Sequence, residues 1–441
     1  MMIICKFGGS SLANAQQFKK IKAIVESDPK RRVVVVSAVG KSHPDQNKIT
    51  DLLYLLHAHL LYGVDYQALL NEIVERYRSI QLDLGLKFDV QAFFDRLKAD
   101  LSPKTERDAL VSIGEKLSAI LCAEYLNWPM IDAKDSIVLT SDGTVDLERS
   151  SQKLSTLFQQ YPHFVLPGFY GALPNGRIKL MKRGGSDITG SIVAAALHAE
   201  IYENWTDVNG IMMADPRIVP EAKPIPQLTY GELRELTFMG ASILHEESIQ
   251  AVKHLNIPLN IRNTNKPEEP GTLIRNDIID DDQAEGFITG ITGLKDFAVV
   301  TVHKEQIARH PQVLRQILES FERHDLLIEY MTKGIDSLSL TVKVEALKER
   351  QFDLFADLKQ KCSIDKLTFE DDLALIAVVG RNMKEKPGIS GQLFSALGAK
   401  NINIRLIAQG TDEISIIVGV ANADFELTIQ TLYEHFIRKN G

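Results

Sequence analysis

Four consecutive valines, Val33-Val34-Val35-Val36, narrow most sharply what this chain can fold into. An unbroken β-branched run offers no polar face to water. It suits a strand covered on both sides, as in the interior of a parallel sheet. Residues 2–6 read as a second buried strand. Residues 15–25 read as a helix, with Phe18, Ile21, Ile24 and Val25 at helical spacing. Strand, helix, strand in that order is a βαβ unit, the signature of a layered α/β domain.

The first strand runs into Lys6-Phe7-Gly8-Gly9-Ser10-Ser11. Adjacent glycines remove the Cβ atoms that keep a bulky anion off the main chain. Successive N–H groups can then form a nest with a helix N-terminus behind it. Ser10 and Ser11 add hydroxyls, and Lys6 adds a positive charge. This is a phosphate cradle by composition, although it lacks the G-x-x-x-x-G-K-[ST] pattern. A second glycine pair stands in Arg183-Gly184-Gly185-Ser186-Asp187-Ile188-Thr189, opening a small-residue helix over 190–199. A carboxylate repels phosphate, so Asp187 needs a cation beside it, either Lys6 or a metal.

Residues 201–205 form a further strand, and Thr206-Asp207 at its carboxyl end are placed to bind ligand hydroxyls and amides. Asp215-Pro216-Arg217 reads as a turn with Asp215 capping it. Residues 63–127 are mostly helical and contain Gly114-Glu115. From spacing alone these are a tolerated glycine and a solvated glutamate, with a close backbone contact as the alternative.

With 58 acidic against 50 basic residues among 441, the net charge is −8. That argues against nucleic acid or an acidic membrane surface as the main partner, so anionic ligands must be held by local charge and backbone dipoles. Cys5, Cys122 and Cys362 are far apart and form no C-x-x-C pair, which places the protein in a reducing cytoplasm. No basic leader region opens the chain, and no apolar stretch approaches membrane length.

Residues 276–285, with Asp280-Asp281-Asp282, read as a linker. Beyond them Asp296-Phe297-Ala298-Val299-Val300-Thr301-Val302 recurs as Asp372-Leu373-Ala374-Leu375-Ile376-Ala377-Val378. Each copy continues as helix, strand, strand, helix, and only the first has a fourth strand, at 364–369. Residues 287–292 are strand-like and precede the first copy. They are expected to cross over and complete the second, so that the first copy is inserted within it.

Taken in order, Lys6-Phe7-Gly8-Gly9-Ser10-Ser11, Ser37-Ala38, Thr50-Asp51, Gly114-Glu115, the Arg183–Thr189 stretch, Trp205-Thr206-Asp207-Val208 and Asp215-Pro216-Arg217 resemble the aspartate kinases of the amino acid kinase family. The resemblance runs nearly end to end and includes tandem ACT domains. It implies an αβα sandwich catalytic domain at 1–280 and two ferredoxin-like βαββαβ ACT domains at 293–370 and 371–441. The implied reaction phosphorylates the side-chain carboxylate of L-aspartate with ATP and Mg²⁺. A carboxylate nucleophile is already ionised at neutral pH, so no general base is needed, only charge stabilisation and alignment.

The resemblance assigns roles residue by residue. Lys6 neutralises the transferring phosphoryl, and Gly8, Gly9 and Ser10 donate to phosphate oxygens. Asp187 orients Lys6. Arg183, Gly184 and Ser186 hold substrate, with the Arg183 guanidinium on the α-carboxylate. Glu115 takes the α-ammonium, and Ser37 and Thr50 bond the carboxylates. Thr206, Asp207, Met212, Arg217 and Ser242 face the nucleotide. Two positions depart from the family: Ser242 stands where many members have lysine, and Met212 where many have tyrosine.

For an amino-acid effector, L-lysine or L-threonine, the candidates are Met383, Gly388, Ile389, Asn401 and Asn403 in the second copy. In the first they are Ile335, Asp336 and Ser337. A homodimer or homotetramer joined through the ACT domains is expected. The other readings are a glutamate or N-acetylglutamate kinase, or a non-catalytic ACT amino-acid sensor.

Overall fold

The computed structural model describes all residues except 1, 183, 241–243, 245–247, 279–286, 363, 382, 384–386, 411–413 and 439–441. The chain packs as two units. One comprises Met1–Ile211, Pro224–Tyr230 and Ser242–Ile279; the other comprises Met212–Lys223, Gly231–Ala241 and Asp280–Gly441.

The first unit is built on β1 (Ile3–Phe7), β2 (Arg31–Val36), β3 (Phe164–Pro167), β4 (Tyr170–Ala172), β5 (Ile178–Leu180), β6 (Ile201–Thr206), β7 (Gln227–Thr229), β8 (Leu259–Asn263) and β9 (Thr272–Arg275). Seven of these form one sheet in the order β3-β2-β1-β6-β8-β9-β7, while β4 and β5 make a separate hairpin. All pairs in the large sheet are parallel except β8 with β9. Val33-Val34-Val35-Val36 lie in β2 between β1 and β3, buried on both faces as their chemistry requires. Residues 136–139 form no strand. The short helix Ala133–Ser136 ends there, and Val138 makes a single bridge to Ala172.

The second unit contains β10 (Gly290–His303), β11 (Tyr330–Lys333), β12 (Ser337–Lys343), β13 (Lys366–Val379), β14 (Leu406–Gln409) and β15 (Ser415–Val420) in one antiparallel sheet, ordered β11-β12-β10-β13-β15-β14. The two repeats share their longest strands. Residues 297–303 of β10 pair with 337–343 and with 366–373, whereas 290–294 pair with 375–379. The first part of β10 thus lies against the second copy, with the first copy inserted between the two. Helices Pro311–Arg323 and Gln351–Lys361 close a core over the first copy with Val300, Leu340 and Phe321. Helices Ile389–Gly398 and Phe425–Tyr433 do the same over the second with Ile376, Val418 and Leu393.

Two pieces of the stretch 1–280 belong to this second unit, so that stretch is not one packed body. Ala214, Val219 and Ala222 enter the second copy's core. The Ile291 N–H donates to Met213 O at 2.7 Å, and the Lys223 N–H donates to Tyr433 Oη at 2.9 Å. Helix Tyr230–Phe238, beyond its first residue, is bound by carboxylates. Glu232 is buried and accepts from Thr289 Oγ1 and, at 3.2 Å, from Arg381 Nε. Glu235 accepts from Ser415 Oγ at 2.7 Å.

Candidate active site

Lys6 on β1 and Asn204 on β6 are register partners in adjacent parallel strands. The Lys6 side chain is only 8% exposed, and its Nζ lies 2.5 Å from Asp187 Oδ1 and 3.4 Å from Asn204 Oδ1. The Asn204 amide donates to the same Asp187 oxygen at 2.8 Å. A buried ammonium is costly unless paired and hydrogen-bonded, and these two groups supply both. This answers the question raised by a carboxylate in an anion site: Lys6 is the cation beside Asp187.

Asp187 reaches that position because its helix, Gly185–Ala196, packs unusually close to the strands. Gly184 starts it in the left-handed region, at φ 76°. A Cβ on Gly190 would overlap the Tyr202 ring, and Tyr202 Oη donates to Asp187 O at 3.2 Å. Ser186 is buried in the first turn of the helix.

The first glycine pair works differently from the expectation. The Gly8 N–H donates to Trp205 O at 3.0 Å, so it is not a phosphate donor here. A Cβ on Gly9 would stand 3.1 Å from Ala38 O and 3.3 Å from Gly40 Cα, and the Gly40 N–H donates to Gly9 O at 2.8 Å. Gly9 therefore admits the 37–41 loop. The donors left for an anion are the leading N–H groups of the short turn Gly9–Leu12, which carries the half-buried Ser10. Ser11 is taken up by Thr264, Oγ to Oγ1 at 2.7 Å.

Ser37 follows β2, its N–H donating to Phe7 O at 3.2 Å, and half-buried Thr50 sits in the first turn of helix Ile49–Tyr62. Gly114 marks a close contact: a Cβ there would meet Ala38 Cβ at 3.0 Å. Nor is Glu115 solvated. It is 4% exposed in the first turn of helix Ile113–Leu126. Burial pushes its carboxyl up to about 8, against hydrogen bonds from the Glu115 and Ala38 main chain that pull it down. Its Oε2 has no hydrogen-bond partner among the described residues. A buried carboxylate oxygen without a donor is the arrangement an incoming ammonium would complete.

Thr206 donates to the exposed Asp207 at 3.2 Å at the end of β6. Met212 and Arg217 belong to the second unit. The Arg217 side chain is 90% exposed and is clamped by Asp215, with Nη2 to Oδ2 at 2.6 Å. Asp215 also accepts from the Arg217 N–H at 2.9 Å, the cap and turn role read from the sequence. Arg183 and Ser242 lie outside the described residues.

Among the effector candidates, Met383 and Ile389 are buried in the second copy's core, so their side chains are packing residues. Gly388, at φ 91°, starts helix Ile389–Gly398, and Asn401, at φ 56°, closes the turn after it. Asn403 and Ile335 are exposed. Asp336 accepts from the Gln306 N–H at 2.7 Å, and Ser337 opens β12.

Sequence reading missed Asn204, whose only signal is an amide in an otherwise buried strand. It also missed the Gly168-Phe169 turn over the helix start, which carries no recognisable pattern. Among the described residues no three or more His, Cys, Asp or Glu side chains cluster as a metal cage, and no helix is long and apolar enough to cross a membrane.

Residues 1–263 match the amino acid kinase family, and residues 376–436 match an ACT domain. Aspartokinase 3 of Bacillus subtilis is 34% identical over 455 aligned residues, covering 99% of this chain and 98% of the relative. The crystal structure of Clostridium acetobutylicum aspartate kinase superposes with a TM-score of 0.91 at 40% identity, covering 99% of both chains. Escherichia coli aspartokinase III, solved with aspartate and ADP in an R-state, superposes at 0.78 with 25% identity and 99% coverage of both. Joined to the buried Lys6–Asp187–Asn204 cluster and to a Glu115 whose Oε2 has no partner among the described residues, these likenesses show that the chain belongs to the amino acid kinase family and, within it, to the aspartate kinases.

Proposed function

We propose that the chain transfers the γ-phosphoryl group of ATP to the side-chain carboxylate of L-aspartate, giving 4-phospho-L-aspartate and ADP. The observation that carries this reading is the Lys6–Asp187–Asn204 cluster: one buried ammonium, held from two sides, at the head of the glycine turn. Two anions must be brought together, and a preorganised cation aimed at the charge that develops between them lowers the barrier most. Asp187 and Asn204 fix Lys6 beforehand, so little reorganisation is needed during transfer. The Gly9–Leu12 turn and Ser10 would take phosphate oxygens. Glu115 would receive the α-ammonium, Arg183 with Gly184 and Ser186 the α-carboxylate, and Ser37 and Thr50 the remaining carboxylate oxygens. Thr206 and Asp207 suit ribose or base, and Met212, Arg217 and Ser242 are the further nucleotide candidates.

Lys6 and Asn204 both engage Asp187 Oδ1, so that oxygen is committed to orienting Lys6. Mg²⁺ would be held mainly by the nucleotide's own phosphate oxygens, screening their charge.

The same reading makes 1–280 the catalytic domain, 293–370 and 371–441 the ACT domains, and 287–292 the strand completing the second. It places the enzyme in the cytoplasm at the first step of lysine, threonine and methionine synthesis. L-lysine, or L-threonine, would inhibit it by binding at an ACT–ACT seam in a dimer or tetramer. Gly388, Asn401, Asn403, Ile335, Asp336 and Ser337 are the polar and main-chain groups available to such a ligand.

ADP release measured in parallel with aspartate, glutamate, N-acetylglutamate and UMP tests the substrate. Aspartate alone should support turnover; equal or faster release with another acceptor would move the assignment to that acceptor.

A further inference from the structure

Phe169 has a φ of 75°, in the left-handed region that a bulky side chain seldom occupies. Such strain persists only where the surroundings over-determine it, which makes an observed outlier a reason to look for function. Three contacts surround this one. The Phe169 N–H donates to Thr189 Oγ1 at 3.1 Å, and the Met181 N–H donates to Phe169 O at 2.8 Å. The Phe169 ring lies so close to the helix start that a Cβ on Gly185 would stand 2.5 Å from its Cδ2. The neighbouring Gly168 is equally tight, since a Cβ there would stand 2.8 Å from Ser186 Cα.

The Gly168-Phe169 turn therefore rests on the first turn of helix Gly185–Ala196, beside the residues assigned to the substrate carboxylate. Thr189 is one helical turn further on and 0% exposed. Its hydroxyl donates to Gly185 O at 2.8 Å while accepting from Phe169. One oxygen thus ties the strained turn to the helix start.

We propose that Thr189 is a positioning residue for aspartate: its hydroxyl holds Phe169 in the left-handed conformation and so fixes the Gly168-Phe169 turn as a wall of the pocket at Gly185-Ser186. The inference rests on the aspartate reading above. Valine keeps the shape of Thr189 but neither donates nor accepts, whereas serine keeps the hydroxyl. Glycine at 169 enters positive φ without strain and has no need of the clamp.

The test uses the full-length chain and compares aspartate and ATP KM values for wild type, Thr189→Val, Thr189→Ser, Phe169→Gly and Phe169→Gly/Thr189→Val. Thr189→Val should raise the aspartate KM about tenfold, with the ATP KM and the Thr189→Ser enzyme within about twofold of wild type. Within the Phe169→Gly background, adding Thr189→Val should change the aspartate KM by less than about twofold. An unchanged aspartate KM in Thr189→Val overturns the proposal, as does an equal rise in both KM values. A tenfold rise that persists in the Phe169→Gly background overturns it as well, and that comparison stands even if Thr189→Val alone does not fold. Wild-type enzyme that releases no ADP on adding aspartate would instead remove the substrate reading and this inference with it.

Discussion

Asn204 bridges Lys6 and Asp187, accepting from the Lys6 ammonium at 3.4 Å and donating to Asp187 Oδ1 at 2.8 Å. The bridge exists because β1 and β6 are neighbours in register, so that strand order rather than sequence proximity assembles the cluster. Lys6→Ala and Asp187→Ala should each lower kcat by more than tenfold, a loss above about 1.4 kcal/mol of transition-state stabilisation, and each should also lower the melting temperature, because the charge that remains is left buried without its partner. Asn204→Ala should fall between these and wild type, because it leaves the ion pair intact but free to swing. Steady-state kinetics beside a thermal melt decide the point; activity above a tenth of wild type in either charge variant contradicts the role given to the pair.

Glu115 makes a pH prediction in two parts. Its carboxyl is raised to about 8 by burial, so in the free enzyme it is largely protonated at pH 7. Binding an ammonium requires the carboxylate, so kcat/KM for aspartate should rise with pH up to about 8, and Glu115→Gln should lose that limb while raising the aspartate KM. For stability the sign runs the other way. Between the unfolded value near 4.5 and about 8 the folded state holds the extra proton. The wild type therefore loses stability as pH rises through that window, by on the order of a few kcal/mol, whereas Glu115→Gln does not. Denaturant melts at pH 5, 7 and 9 measure this; parallel curves for the two proteins would refute the buried, protonated state.

A chain cut after about residue 280 should not behave as a desensitised enzyme. The pieces 212–223 and 231–241 belong to the second unit, where Ala214, Val219 and Ala222 share a core with Ile376 and Val418. Removing that core exposes their apolar side chains and leaves Glu232 and Glu235 without Arg381 and Ser415. The expected result is an aggregating or protease-sensitive fragment, read by gel filtration and limited proteolysis. A stable, monodisperse and active fragment would show that these pieces do not depend on the repeats.

Effector control is tested by activity titrations with L-lysine and L-threonine on the full chain. An effector must bind two states with different affinity to shift activity, so inhibition should saturate and the ligand should also raise the melting temperature. Absence of inhibition by both amino acids at millimolar concentration would end the feedback reading.

The elements legible in the sequence are those whose signal is local. Val33-Val34-Val35-Val36 announces an interior strand, the two glycine pairs announce close approach, and the recurrence of Asp296–Val302 at Asp372–Val378 announces the repeat. The burial of Glu115 is not legible from spacing, because the contacts that bring Ala38, Ile49 and Leu53 onto the neighbouring Gly114 join distant segments. Gly8 was misread for the same reason: only the parallel pairing of β1 with β6 brings Trp205 O to its N–H. Asn204 and Phe169 could not be singled out, since one acts through a register partner and the other through a backbone angle. The grouping of 212–223 with the repeats is likewise invisible to local pattern, because its alanines and valine read equally well as the core of either unit.

The most direct test of the central claim is to trap the product. An acyl phosphate reacts with hydroxylamine to give a hydroxamate, so wild-type enzyme with ATP, Mg²⁺ and aspartate should yield aspartyl hydroxamate in step with ADP. Lys6→Met, which keeps the stem and removes the charge, should yield less than a tenth as much at saturating substrate. ADP released without hydroxamate, or hydroxamate formed by Lys6→Met at the wild-type rate, would contradict phosphoryl transfer to aspartate under the control of Lys6.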